Sequence, residues 1–339
     1  MEIKDIIKKQ RILFITTKNL SYIRNRQEIS IIEQYSEKFT ILGADSKHYP
    51  KRLLHIWVGL FKTNWEAYDV IFVGFAPQLV LPFIHSKIKN KMIIEDFFIS
   101  LYDTFCLDRK KFRPNGLIGK ILHRLDSHTL SLADYVIADT ASHAAFFSSE
   151  FGADSSKHIV LYLDASPACA HFAKNYHALQ NSRLRRKNPF KILYFGSILP
   201  LQGVNIILEA VSQIKENSNL HFEIIGPINR KLMKTAPVSS NITYYKWLEE
   251  KDLYRHISDA DLCLAGHFSS TIDKAKRTIP GKAFIYRSLN RPMILGDTPA
   301  NHELFPSDTP GIYYVPLGNP KALSDEILRL ASLSSSEVL

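Results

Sequence analysis

Cysteine is scarce and scattered. Cys106, Cys169 and Cys263 are the only three in 339 residues, and no two stand in C-x-x-C spacing. An odd count at such distances excludes a disulfide framework and a zinc ribbon, and fits a reducing, cytosolic compartment. No apolar run reaches the roughly 18 residues of a membrane-spanning helix, and residues 1–11 are too charged for a signal peptide. The nearest approach, residues 70–84, contains Gln78 and two prolines and reads as strand, turn and helix start. Two nucleotide motifs are also missing: G-x-G-x-x-G after the first strand and G-x-x-x-x-G-K-[ST] anywhere. Their absence disfavours a nicotinamide enzyme and a P-loop NTPase. There is no short-period repeat and no low-complexity tract.

What is present is ordinary in bulk and basic in balance. Hydrophobic residues make up 45% and charged residues 22%, a soluble globular composition, and the length suits two domains. Lys and Arg number 43 against 33 Asp and Glu, a formal charge of +10. The excess divides evenly, 23 against 18 in residues 1–180 and 20 against 15 beyond, so no basic tail carries it. This balance suits a polyanionic ligand, a nucleic acid or an acidic membrane surface, with a bland basic surface as the alternative.

Short runs rich in Ile, Val and Phe alternate with longer helical-period segments from end to end, which predicts an α/β chain with parallel, doubly wound sheets. Strands are predicted at residues 11–16, 39–43, 70–74, 91–95, 135–138 and 158–162, then at 191–195, 221–225, 242–245, 262–265, 292–295 and 312–315. Between the halves the strand signal lapses into Asn, Arg, Lys and Ala. The predicted organisation is a domain over 1–170, a linker over 171–189 and a domain over 190–339, with the last helix, 320–333, packing on either one. Two such halves leave a cleft at the carboxyl ends of their strands, where doubly wound folds bind ligands.

Two segments carry chemistry. Gly196-Ser197-Ile198-Leu199-Pro200-Leu201-Gln202-Gly203 follows the first strand of the second half and leads into an amphipathic helix. A loop bounded by glycines lets backbone N–H groups approach a phosphate, although strand, glycine loop and helix recur in many α/β proteins. The second is Lys274, Lys276, Arg277 and Lys282 around Ile279-Pro280-Gly281, just before an apolar helix. A helix start among cations suits a diphosphate; a solvated basic turn is the plain alternative. Asp259-Ala260-Asp261 has the form of a metal-binding D-x-D but sits where a cap or turn is expected. His123 with His128, and His302 with Glu303, lack a third ligand at zinc spacing.

Taken together, these segments resemble a branch of glycosyltransferase family 4. The resemblance runs through residues 260–268, through Asp273-Lys274-Ala275-Lys276-Arg277-Thr278-Ile279-Pro280-Gly281-Lys282, through the Gly196–Gly203 loop, and through Asp297-Thr298-Pro299-Ala300 with Glu303-Leu304. In the first half Asp96 to Thr104, Asp108-Arg109, and Ala138-Asp139-Thr140 with His143 are similar to that branch. The resemblance implies a GT-B fold of two Rossmann-like domains, a nucleotide-sugar donor held mainly by the second, and a glycan or lipid-linked acceptor on the first. It implies retention of configuration and no metal or other cofactor, and a role in cell-surface polysaccharide or glycoconjugate assembly.

By that resemblance Lys274, Arg277 and Lys282 stabilise the departing diphosphate, and Gly196, Ser197 and Gly203 cradle it with Pro280 and Gly281. Gly226, Pro227, Trp247 and Leu248 lie near the nucleobase, with the loop and not the indole as the contact, since a tryptophan here reads as core. Glu303 is assigned to ribose or sugar hydroxyls, with a solvated glutamate as the alternative. Asp103, Arg109 and His143 are placed towards sugar and acceptor; Asp103 also reads as a helix cap and His143 as helix cover. Several positions depart from the family pattern. Arg277 and Ile285 stand where two glutamates are usual, Ser197 and Gln202 where the loop carries cations, and Leu289-Asn290 where a small residue and glycine are usual. Residues 161–164 also lack the expected glycine.

Residues 47–61 are basic, then apolar, as in a helix lying on an anionic bilayer at the inner face of the membrane, with burial against the first domain's sheet as the rival reading. The alternatives to a transferase are a catalytically silent GT-B protein that binds nucleotide or glycan or supports a partner transferase, a sugar-nucleotide epimerase, and, more distantly, a nucleic-acid binder. No aromatic-basic interleaving supports the last of these.

Overall fold

The computed structural model describes residues 2–180, 189–228 and 230–336. The chain forms two compact units, Met1–Asp164 and Ala165–Leu339. In the first, helices and strands alternate as α1 (Ile3–Ile7), β1 (Arg11–Thr16), α2 (Ile23–Tyr35), β2 (Lys38–Leu42), α3 (Tyr49–Lys62), β3 (Val70–Gly74), α4 (Leu81–Ile88), β4 (Met92–Asp96), α5 (Leu117–Leu132), β5 (Tyr135–Ala138), α6 (Ala141–Phe151) and β6 (His158–Val160). The sheet is parallel, in the order β2-β1-β3-β4-β5-β6.

That order reverses after β2, and right-handed crossovers then put α2 on one face and α3 to α6 on the other. The cores agree. Ile32 of α2 packs with Ile12, Phe14 and Phe72, whereas Ile56, Leu60, Ile84, Leu130 and Phe147, from α3 to α6, pack with Leu13, Ile15 and Ile71. Strands covered on both faces need unbroken apolar sequence, and every residue of Val70–Gly74 is buried.

The second unit holds α7 (Pro167–Gln180), β7 (Phe190–Phe195), α8 (Val204–Ile214), β8 (Leu220–Ile225), α9 (Arg230–Met233), β9 (Ile242–Tyr245), α10 (Glu250–Asp259), β10 (Leu262–Leu264), α11 (Lys274–Arg277), α12 (Gly281–Ser288), β11 (Met293–Gly296), α13 (Pro299–Leu304), β12 (Ile312–Val315) and α14 (Pro320–Ser336). Its parallel sheet runs β12-β11-β10-β7-β8-β9. All twelve predicted strands are present in order, with ends shifted by a residue or two.

One expectation changes, and one of two alternatives is selected. The boundary falls at Asp164/Ala165, ahead of the predicted one, and the stretch read as linker begins as the helix α7; residues 181–188 lie outside the described residues. The last helix packs within its own unit. Leu323, Ile327 and Leu330 of α14 join the core formed with Val204, Ile207 and Val211 of α8, because an apolar stripe at helical spacing meets the equally apolar face of α8.

Candidate functional site in the second unit

The carboxyl ends of β7 and β8 meet through glycine. Gly226 has φ +153°, and a Cβ there would stand 2.2 Å from the carbonyl oxygen of Gly196, so only glycine lets the two strand ends lie this close. The loop from Gly196 closes at Gly203, with φ +66°, where a Cβ would fall 2.8 Å from backbone atoms of Phe268 and Ser269 beyond β10. Gly203→Ala is therefore expected to destabilise this unit by about 1–3 kcal/mol, read as a lower melting temperature. Ser197→Ala, at an exposed position of the same loop, should leave it unchanged.

Beneath the loop lies Lys282, the second residue of α12. It is 6% exposed. Its Nζ donates to Gln202 Oε1 and lies 4.8 Å from the centre of the Tyr194 ring. Close contacts fix its place: a Cβ on Gly196 would be 3.3 Å from Nζ, and one on Gly266 would be 2.9 Å from it. No carboxylate among the described residues pairs with this ammonium, and burial pulls its pKa down to about 7. The hydroxyl of Tyr194, also buried, has no hydrogen-bond partner, and burial raises its pKa. A cation without a counter-ion beside an orphan hydroxyl is an arrangement that an anion with several oxygens completes.

Lys274 and Arg277, both half-buried, ride on α11. Ala275 of that helix packs with Leu201 and Ile272, which holds α11 against the turn of the glycine loop; its other neighbour is α13. Pro280 is buried just before α12 and Gly281 is exposed at its first position. In α13, Thr298 caps the helix through Asn301 N, and Asn301 Nδ2 donates to Gly296 O at 2.8 Å, tying the helix to the end of β11. Glu303 sits half-buried on it. Ile285, where the resemblance expects a carboxylate, is half-buried on α12.

Pro227 is exposed and Leu248 half-buried after β8 and β9. Trp247 is 76% exposed, which corrects the reading of it as core: β9 is short and the turn after it leaves the sheet, so the indole has no layer to enter.

The first unit has polar groups of its own at the carboxyl edge of its sheet. His143, in the first turn of α6, is fully buried; its Nδ1 lies 2.6 Å from Asp139 Oδ1 and its Nε2 has no hydrogen-bond partner. Thr140 caps that helix by accepting from the His143 N–H at 2.9 Å. Asp103 is fully buried at the head of a wide, π-type turn, Asp103–Asp108, and its N–H donates to Ser100 Oγ at 2.9 Å. Asp126 fixes that segment by accepting from Ser100, Tyr102 and Gln78. Arg109 is exposed, its guanidinium 6.0 Å from the Phe105 ring.

The D-x-D pair is structural. Asp259 accepts from the Tyr176 hydroxyl at 2.7 Å and Asp261 from the Lys191 N–H at 2.8 Å. Among the described residues no three His, Cys, Asp or Glu side chains assemble as a metal site. The three cysteines are buried, and no disulfide joins them.

Solved structures with this arrangement decide the fold. The chain superposes on sucrose-phosphate synthase from Thermosynechococcus elongatus with a TM-score of 0.65 at 13% identity, over 95% of this chain and 90% of that one. The fold is GT-B. Anabaena Alr3699/HepE in complex with UDP matches at TM-score 0.62 and 15% identity, covering 96% and 91%. The catalytic domain of starch synthase IV from Arabidopsis thaliana, bound to ADP and acarbose, gives 0.64 and 10%, covering 97% and 93%. Residues 189–332 of this GT-B chain match the family model for glycosyl transferases group 1, so the match lies within the second unit. No curated protein matches the sequence.

Tyr194 escaped the sequence reading, and Gln202 entered it only as a departure. Eighty positions separate Gln202 from Lys282, so no local spacing signals their contact.

Proposed function

We propose that this protein is a retaining glycosyltransferase that moves one sugar from a nucleoside diphosphate sugar to a glycan or lipid-linked acceptor, in cell-surface polysaccharide or glycoconjugate assembly. The observation that carries the reading is Lys282, buried under the glycine loop with no carboxylate partner among the described residues. The loop lacks cations at its own usual positions, Ser197 and Gln202, and α12 supplies one from below. In the transfer the bond from the anomeric carbon to the diphosphate breaks, negative charge grows on the leaving oxygens, and Lys282 meets it with a charge-assisted hydrogen bond. Lys274 and Arg277 add charge from α11. A donor phosphate oxygen takes the acceptor proton, as retention by front-face attack requires. On the first unit, His143, held by Asp139, offers its open Nε2 to a sugar hydroxyl.

Side-chain cations take the place of a metal in this reading, and no cofactor beyond the donor is needed. Turnover should accordingly survive millimolar EDTA; abolition by EDTA, with rescue by magnesium, would overturn the metal-free assignment. A thermal-shift series with UDP, GDP, dTDP and CMP tests the donor site. A ligand at about 100 times its Kd adds roughly 2.7 kcal/mol of stability, so one nucleotide should raise the melting temperature and the others should not.

One observation favours a second reading. Ile285 puts an alkyl group where the resemblance expects a carboxylate, which suits a silent GT-B protein that binds nucleotide or glycan or supports a partner transferase. Nucleotide stabilisation without turnover of any matching nucleotide sugar, with acceptors present, would select it.

A further inference from the structure

The positive charge of this protein is concentrated on one layer. Residues 46–64, 77–94 and 109–125 hold thirteen Lys or Arg and not one Asp or Glu, while the whole chain carries only +10. The remainder is therefore net negative, a contrast that halving the chain conceals. These three segments are α3, α4 and the first part of α5 with their flanking turns and the start of β4; the helices lie on one face of the first unit's sheet, and the one acid within them, Asp126 of α5, is buried. They touch one another there. The Trp57 and Phe83 rings meet edge to face at 5.4 Å, Lys87 Nζ sits 5.7 Å from the centre of the Phe61 ring, and α4 packs on α5.

The outer side of the same layer is apolar. Fourteen large hydrophobic side chains are exposed among the described residues, and eight belong to these segments, including Leu54, Phe61, Phe83, Leu117 and Ile121. On α3 the inner stripe, Ile56 and Leu60, is buried, yet Leu54 and Phe61 stand 66% and 78% exposed. Burial against the sheet thus accounts for only half of that helix. Leu117, the first residue of α5, is 77% exposed beside Lys110, Lys111 and Arg113.

We infer that the α3–α4–α5 layer docks on an anionic lipid bilayer, with Leu54, Phe61, Phe83 and Leu117 entering the interface and the surrounding lysines and arginines meeting lipid phosphates. Charge complementarity and the type of apolar group choose the occupant. A duplex or single-stranded nucleic acid accepts the cations but offers no place for leucine and isoleucine, whereas a headgroup and acyl boundary accepts both. Of the thirteen cations only Arg52 is buried, so a second copy of the chain would bring the other twelve against these. Among the described residues no helix is long and apolar enough to cross a membrane, so the attachment is peripheral. The inference does not depend on the transferase reading, because binding is measured without turnover.

The test is co-sedimentation of the full chain with vesicles of phosphatidylcholine alone or with about 30% phosphatidylglycerol at low salt. Binding to the anionic vesicles only, weakened at high salt, is expected. Phe61→Ser with Leu117→Ser should lower the bound fraction about ten-fold, and Lys87→Glu with Lys120→Glu at least as much, at unchanged melting temperature. Should the double variants melt lower, the single variants Phe61→Ser and Lys120→Glu are read instead. No binding to anionic vesicles at low salt would overturn the inference. So would binding that the serine variants leave intact, which marks a polyanion site, or a dimer in sedimentation that Phe61→Ser dissolves, which marks a second copy as the occupant.

Discussion

Lys282→Met is expected to lower kcat about 10²- to 10³-fold while raising the melting temperature of the ligand-free second unit. On the proposed transferase reading the loss follows from removing a preorganised charge at the departing diphosphate, a change usually of that size. The gain follows from the price of burial. An ammonium with a pKa near 7 in the fold and 10.5 when exposed sits in a site that disfavours its charge, and methionine fills similar volume without one. The sign with pH can be worked out. From pH 7 to 10.5 the unfolded chain holds a proton that the folded lysine has released, so this residue makes stability rise with pH across that window, by at most about 1.4 kcal/mol per unit. Below pH 7 both states are protonated and the slope vanishes.

A bound diphosphate restores the charge, so nucleotide affinity should fall about ten-fold per pH unit above 7, where the ligand is already fully ionised. Titration calorimetry of UDP, or of whichever nucleotide stabilises the protein, from pH 7 to 9 measures this, together with uptake of up to one proton. Affinity that is flat with pH, or wild-type turnover in Lys282→Met, would remove Lys282 from the site. Lys282→Arg keeps charge but not shape. The narrow space between Gly196 and Gly266 leaves no room for a planar guanidinium, so the variant should recover little activity.

Periodicity made the fold legible because the strands are covered on both faces: Val70–Gly74 and Leu262–Leu264 are continuous apolar runs with no helical alternative of adequate length. α7 was not legible. Its stretch is rich in Ala, His and Asn, its stripe of Cys169, Phe172, Ala173 and Tyr176 holds no large aliphatic residue, and its packing partners are distant, among them Tyr254 of α10, 5.6 Å from Phe172. At the site, local spacing identified the glycine loop and the basic turn as elements but not which cation would be buried. Lys274, Lys276, Arg277 and Lys282 look alike in sequence. Only the third dimension separates Lys276, which is exposed and paired with Asp273, from Lys282, sealed by Gln202 and Tyr194. Exposure of Trp247 likewise depends on the turn that follows β9, not on the residue type.

The first unit hides its strongest electrostatic element in a helix that reads as solvated. Arg24 and Glu28 of α2 are four residues apart, in a spacing common to surface ion pairs, yet both are fully buried. Arg24 donates from Nε and Nη2 to the two oxygens of Asp96 at 3.0 and 3.1 Å, and from Nη1 to the carbonyl of Leu161, so it joins the ends of β4 and β6 near the Asp139–His143 pair. Glu28 lies 3.6 Å from Nε without a hydrogen bond, and burial with the Asp96 charge pushes its pKa well above the carboxylate range. With Glu28 biased towards its protonated form, Arg24 has Asp96 as its hydrogen-bonded carboxylate. Arg24→Met should then lower the stability of the first unit by about 3–5 kcal/mol, because it strands a buried carboxylate. Glu28→Gln should be nearly neutral at low pH, since it mimics the protonated acid. A carboxyl raised in the fold gives stability that is full below its unfolded pKa and lost as pH rises through the folded one. Denaturant melts of wild type should therefore fall relative to Glu28→Gln towards alkaline pH. Equal pH profiles for the two, or a mild Arg24→Met, would mean that water reaches the cluster and that Arg24 does not hold this edge of the sheet.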